Sequence, residues 1–145
     1  MKKIFVVASI LLMCCMFMGC GVKAQLVGTW KSSSTDVNSN EIRKNDVTFI
    51  INKDGTYSHD VVIMITNTDD ESQNLKSIKN TSGYWYYSDN SDKIILKTTR
   101  SSDQTNDEKP KISDKVSYLS VEIVLADDVL LVDYGFEIRE FTKVK

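Results

Sequence analysis

Apolar and polar residues alternate with a period of two along much of the chain, the spacing of strands that bury one face. The first such stretch is 26–32, opening Leu26-Val27-Gly28-Thr29-Trp30-Lys31. In the second, Val47, Phe49 and Ile51 alternate with Thr48 and Asn52. Asn52-Lys53-Asp54-Gly55 is a strong hairpin signal, and it leads into a third strand over 56–66. That strand puts Tyr57, His59, Val61, Ile63 and Ile65 on one face, and its second half, 61–65, is apolar on both. An outer apolar face of this kind predicts cover or a shared edge. Gly83-Tyr84-Trp85-Tyr86-Tyr87 forms a fourth strand, and Asp89-Asn90-Ser91-Asp92 turns the chain into a fifth over 93–99. Ile94, Leu96 and Thr98 share one face of the fifth. The sixth, 116–126, sets Leu119, Val121, Ile123 and Leu125 inside against Ser120 and Glu122 outside. Asp127-Asp128 turns into Val129-Leu130-Leu131-Val132, and a turn near Tyr134-Gly135 leads into the last strand, 136–143.

Three polar segments, 32–45, 67–82 and 100–115, read as loops, the last holding the only proline, Pro110. No stretch beyond residue 25 carries a helical period. Eight hairpin-linked strands predict an all-β fold, an antiparallel up-and-down barrel wide enough for one small ligand. A two-sheet sandwich is the competing architecture, disfavoured because most sandwiches need Greek-key crossovers. Gly28, two residues before Trp30, suits the barrel. The indole would plug one end, with the entering chain crossing close beneath it at the glycine.

The N-terminus breaks the alternation. Lys2-Lys3 followed by the apolar run 4–18 has the charged and hydrophobic regions of a secretory leader. The run is shorter than the ~20 residues of a membrane-spanning helix. Val22-Lys23-Ala24 before Gln25 fits a small-residue cleavage site, giving a leader of 1–24 and a barrel domain of 25–145. Phe17-Met18-Gly19-Cys20 resembles the lipobox of bacterial lipoproteins, whose cysteine is acylated and becomes the new N-terminus. It carries phenylalanine where leucine is usual, and little tether separates Cys20 from Leu26. Cleavage after Ala24 is the preferred alternative. The expected location is the periplasm or the medium, or the outer membrane if Cys20 is lipidated.

Composition narrows the function. The formal charge is −2, with 18 basic and 20 acidic residues. Without Lys2, Lys3 and Lys23 the domain is more acidic still, at about −5, which argues against nucleic acid as a partner. Cys14, Cys15 and Cys20 all lie in or beside the leader, so the domain is expected to hold neither disulfide nor thiolate metal site. His59, the only histidine, has no partner at the spacing of a general base or a metal site. Asp69-Asp70-Glu71 lacks the alternating oxygen ligands and the glycine of an EF-hand. Ser32-Ser33-Ser34 and Ser101-Ser102 have no nearby base. The expectation is a protein with no catalytic residues, metal or cofactor. Along 84–87 alternation sends Trp85 and Tyr87 one way and Tyr84 and Tyr86 the other. An inward Trp85 fills the barrel or floors a cavity, and outward Tyr84 and Tyr86 suit a sugar or protein contact.

Leu26-Val27-Gly28-Thr29-Trp30, Asp54-Gly55-Thr56-Tyr57 and Gly83-Tyr84-Trp85 with a lysine-rich strand behind it resemble the lipocalin-like domain proteins exported by Bacteroidetes-type bacteria. The resemblance spans nearly the whole domain and implies an eight-stranded calycin-type barrel. In lipocalins proper a basic residue from a late strand packs across the first-strand tryptophan. By that likeness Arg139 joins Gly28 and Trp30 in the barrel plug. The chain lacks the second and third lipocalin motifs and their disulfide, so no ligand class is implied. The expected function is non-catalytic binding of a small, mostly apolar molecule. The lining set is Phe49, Tyr57, Val61, Ile63, Trp85, Leu96, Leu119 and Val121, with Thr98 the main hydroxyl among them. The rival is an envelope interaction module whose barrel is filled by side chains and which meets a protein partner through its surface. Membrane contact is expected only through a lipid on Cys20.

The leader reading has a direct test. Cleavage after Ala24 leaves a Cys20→Ala variant processed and soluble. Radiolabelled palmitate entering the wild type but not that variant would assign the lipoprotein form instead.

Overall fold

A computed structural model describes residues 22–88 and 93–145. The apolar run 4–18, Cys20 and the turn expected at 89–92 lie outside the described residues. Nine strands follow in order: β1 (Gly28–Val37), β2 (Glu41–Ile51), β3 (Thr56–Asn67), β4 (Leu75–Tyr87), β5 (Lys93–Thr105), β6 (Lys111–Ser113), β7 (Ser117–Ala126), β8 (Val129–Asp133) and β9 (Ile138–Lys143). All pair antiparallel with a neighbour, and the chain of pairings returns from β9 to β1 while β4 pairs β5. Eight strands thus close into a barrel, and β6 sits outside the ring as an addition to β5. The fold is the antiparallel eight-stranded barrel that the alternation predicts.

The polar segments depart from expectation, because they are largely strand. β1 runs on to Val37 and pairs residue by residue with β2, from Gly28 opposite Ile51 to Val37 opposite Ile42. β4 begins at Leu75 and β5 continues to Thr105, so long hairpins extend past the core on that side of the ring. Ladder pairing needs only backbone groups, so a two-face solvated strand carries no apolar period for the eye to find. The stretch 61–65 is half-buried on both faces, with Val62 opposite Ile78. At the start, residues 22–26 are helical and the first strand begins only at Gly28. Leu26 is fully buried there, and its carbonyl accepts the indole N–H of Trp30 at 2.8 Å.

Inward-facing residues fill one end of the barrel. Trp30, Phe49, Ile51, Trp85, Ile94, Val121, Leu130, Val132 and Phe141 are all buried. The Phe49 ring meets Tyr57 edge-on at 6.1 Å and lies 6.2 Å from Phe141. The indole N–H of Trp85 donates to the Asn52 carbonyl at 3.0 Å, so both tryptophans bury their rings without orphaning a donor.

Two glycines let strands approach. At Gly28, φ is +147° and an added Cβ would stand 2.8 Å from Cε of Lys143. The Lys143 ammonium lies 5.0 Å from the centre of the Trp30 ring and donates to the Gln25 carbonyl at 2.7 Å. Lys143, not Arg139, is therefore the basic residue across Trp30. The reason is register: β9 meets β1 with Trp30 opposite Lys143, whereas Arg139 lies opposite Val132. Four residues at ~3.3 Å each carry Arg139 about 13 Å further along the strand, to the other end of the barrel. At Gly83 the register of β4 on β5 shifts by one residue, and a Cβ would collide with the Lys97 carbonyl.

Trp30→Ala should cost about 3–5 kcal/mol in urea unfolding, as for other buried large aromatics. Gly83→Ala should lose at least ~1–3 kcal/mol although it adds only a methyl group, because the obstacle is backbone. A cost below about 1 kcal/mol at Trp30 would remove the indole from its plug role.

Candidate functional site

At the end opposite the indoles the barrel is not filled. A half-open cavity of about 330 Å³ lies there. Val47, Tyr57 and Leu96 form its floor, and Val61 and Leu119 stand on its walls. Tyr57 is almost fully buried, and its hydroxyl is 2.6 Å from that of Thr98, which also lines the space. The rim is polar, with His59, Lys79, Thr81, Ser117, Glu137 and Arg139. Tyr134 and Phe136, from the turn between β8 and β9, close one side.

The eight residues expected to line a ligand space divide in two. Tyr57, Val61, Leu96 and Leu119 are brought together around the cavity. Phe49, Trp85 and Val121 instead belong to the packed core beneath it. Ile63 shares the inward face of β3 but lies further along the strand, outside the lining. Alternation assigns a side chain to a face, whereas height along the barrel decides whether that face is filled or empty.

His59 is a half-buried strand histidine on β3, with partners that its own segment does not show. Its ring packs edge-on against Phe49 at 5.5 Å, and Nε2 lies 3.3 Å from the Tyr134 hydroxyl. Burial, with the cations of Arg139 and Lys79 beside it, pulls the His59 pKa down to about 4, so the imidazole is neutral in ordinary buffers. Burial also holds the Tyr134 phenol well above the usual range. The pair is thus an uncharged hydrogen bond between residues 75 positions apart. Its available signal was His59 on the inward face of β3 beside Tyr57 and Val61. Its partner sits in a turn that no periodicity connects to it.

Charge reaches the rim from elements other than β5 and β7. The residues that β5 and β7 contribute, Leu96, Thr98, Ser117 and Leu119, are uncharged. Lys79 comes from β4, Glu137 from the turn before β9, and Arg139 from β9 itself. Both Nε and Nη2 of Arg139 stand 3.0 Å from the same Glu137 oxygen. Lys79 joins no ion pair among the described residues. Phe136 is 82% exposed yet borders the cavity, its ring stacked 6.1 Å from Tyr134. The turn that carries both is held by Tyr134 N–H to the Glu137 carbonyl and Gly135 N–H to Asp133 Oδ1.

The acidic loop has a structural occupation: the Asp70 carboxylate accepts the backbone N–H and hydroxyl of Ser72 and caps the short helix Glu71–Gln73. Among the described residues no group of three His, Cys, Asp or Glu side chains converges on a metal-sized site. No protein-family model matches the chain, and no curated protein matches it.

Protonating His59 requires charging a half-buried ring in the field of two cations. Its folded pKa lies below the unfolded value of ~6.5, so the unfolded chain binds the extra proton between the two. Stability should therefore fall as pH drops from 6.5 towards 4, by about 3 kcal/mol from this residue. Urea unfolding of wild type and His59→Gln at pH 7 and pH 4.5 isolates the effect, since other acid-sensitive groups are common to both. Equal pH slopes would show that His59 is not buried in neutral form.

Proposed function

We propose that this is a non-catalytic binding protein, exported by its leader, that holds a small and mostly apolar molecule in the open end of the barrel. The observation that carries the reading is the contrast between two ends of one barrel: packed aromatic core at Trp30 and Trp85, unfilled space of about 330 Å³ above Tyr57 and Leu96. Small-molecule sites are commonly concave, largely apolar and of this order of size, with a few polar groups at defined places. A side-chain-filled barrel would have interior density throughout and no such space. Burying ~200 Å² of apolar ligand surface would contribute about 5 kcal/mol before association costs, so hydrophobic contact alone supports modest, micromolar affinity.

A second reading has its own observation. Tyr84, Tyr86 and Tyr118 are exposed on the outer wall, where Tyr84 lies opposite Lys97 and Lys97 opposite Tyr118. The Lys97 ammonium sits 5.9 Å from the Tyr118 ring centre. Such a band suits contact with a protein or a sugar in the envelope.

The test is a fluorescent naphthalene probe that brightens in apolar surroundings. Wild type should bind it in the micromolar range, and Val61→Trp or Leu119→Trp should abolish binding while circular dichroism and melting temperature stay close to wild type. Tryptophan at Val121 would be the wrong instrument, because that side chain is fully buried in the packed core. Failure of wild type to bind at tens of micromolar would transfer the function to the outer tyrosines.

A further inference from the structure

We infer that the ligand of this cavity is an anionic amphiphile, its carboxylate or other acidic head seated between Lys79 and Arg139 and its apolar body running down to Tyr57 and Leu96. The inference rests on reading the cavity as a ligand site, and adds the chemical class that its rim selects.

The rim holds two cations and one carboxylate, although the chain as a whole carries net negative charge. Glu137 engages Arg139 through one oxygen, contacted by Nε and Nη2, which leaves the remaining guanidinium donors for another acceptor. Among the described residues Lys79 makes no ion pair. Asp103 stands opposite it in the β4–β5 register and yet makes no ion pair with it. The two cations line the same space from separate strands, Lys79 on β4 and Arg139 on β9. The other polar groups facing the space are neutral: His59, Tyr134, Thr81, Thr98 and Ser117. Hydroxyls and a neutral imidazole can donate to an acidic head without repelling it.

The apolar requirement comes from below. Val47, Val61, Leu96 and Leu119 offer a bound head no polar partner, so a fully polar anion would leave the floor unused, and a charged group pushed down among them would be desolvated without compensation. Between Lys79 and Gly83, which lies opposite Tyr57, four residues span ~13 Å. That depth fits a medium-length chain with its head at the rim. A neutral amphiphile of equal length would make the same apolar contacts but leave Lys79 unmatched. A cationic one would meet two like charges.

The experiment is displacement of the naphthalene probe by four amphiphiles sharing one decyl-length chain, at pH 7.5 and low salt: decanoate, decyl sulfate, decanol and decyltrimethylammonium. Decanoate or decyl sulfate should compete at least tenfold better than decanol, with the cationic compound weakest, and added salt should narrow the gap. Comparing the two acids tells a planar carboxylate from a tetrahedral head. Lys79→Gln and Arg139→Gln should each reduce the acid-over-alcohol preference several-fold while decanol binds as before, which also serves as the folding control. Equal competition by acid and alcohol would overturn the anionic class and leave the apolar cavity intact. Absence of probe binding altogether would overturn both.

Discussion

The barrel depends on how β1 and β9 are joined. β1 pairs with β2 over ten residue pairs but with β9 over only two, Trp30 opposite Lys143 and Lys31 opposite Thr142. Hydrogen bonding alone makes this the thinnest seam of the ring, and side chains reinforce it. The buried Trp30 indole donates back to Leu26, while the Lys143 ammonium lies over the ring and ties the Gln25 carbonyl down. The Lys143 stem occupies the place where a Cβ on residue 28 would stand, so Gly28 is part of the joint. The ring is fully covered and the lysine half-buried, so the cation–π contact adds to a seam that backbone pairing leaves thin.

Closure at that end leaves the other end free to differ. Below, large residues such as Phe49, Trp85 and Phe141 meet across the ring. Above, the inward positions include Val47, Val61, Thr81, Thr98 and Ser117, small side chains that leave space beside Tyr57, His59, Leu96 and Leu119. The cavity is therefore a consequence of side-chain size at successive heights in a barrel of fixed strand number. Its polarity follows the same gradient. Lys79, Glu137 and Arg139 keep their charge at the rim, while His59, one step further in, stays neutral and pairs with Tyr134.

Much of this fold was legible where one face of a strand is buried. The alternation of Val47-Phe49-Ile51 or Leu119-Val121-Ile123 found strands and their inner faces, and the Asp54-Gly55 turn found a hairpin. The polar halves of β1, β2, β4 and β5 were hidden because they hold no fully buried residue and their ladders need only backbone groups, so polar side chains occupy both faces. Arg139 and Lys143 share the inward face of β9, so only the β1–β9 register could decide which one meets Trp30. The same limit divided Tyr57, Val61, Leu96 and Leu119 from Phe49, Trp85 and Val121: face is local information, height in the barrel is not. The meeting of His59 with Tyr134 and the placing of Lys79 and Arg139 on one rim are non-local, so no single segment could show either pairing.

The central claim is that one end of this barrel is packed and the other is an accessible, mostly apolar site. Methyl and aromatic NMR during titration with the naphthalene probe reads both ends and the outer wall at once. The account predicts shifts concentrated at the methyls of Val47, Val61, Leu96 and Leu119, with the Trp30 and Trp85 indole signals and the Val121 methyls nearly still. Shifts centred on Tyr84, Tyr86 and Tyr118, or reaching Val121 and Trp85 as strongly as Leu119, would contradict it.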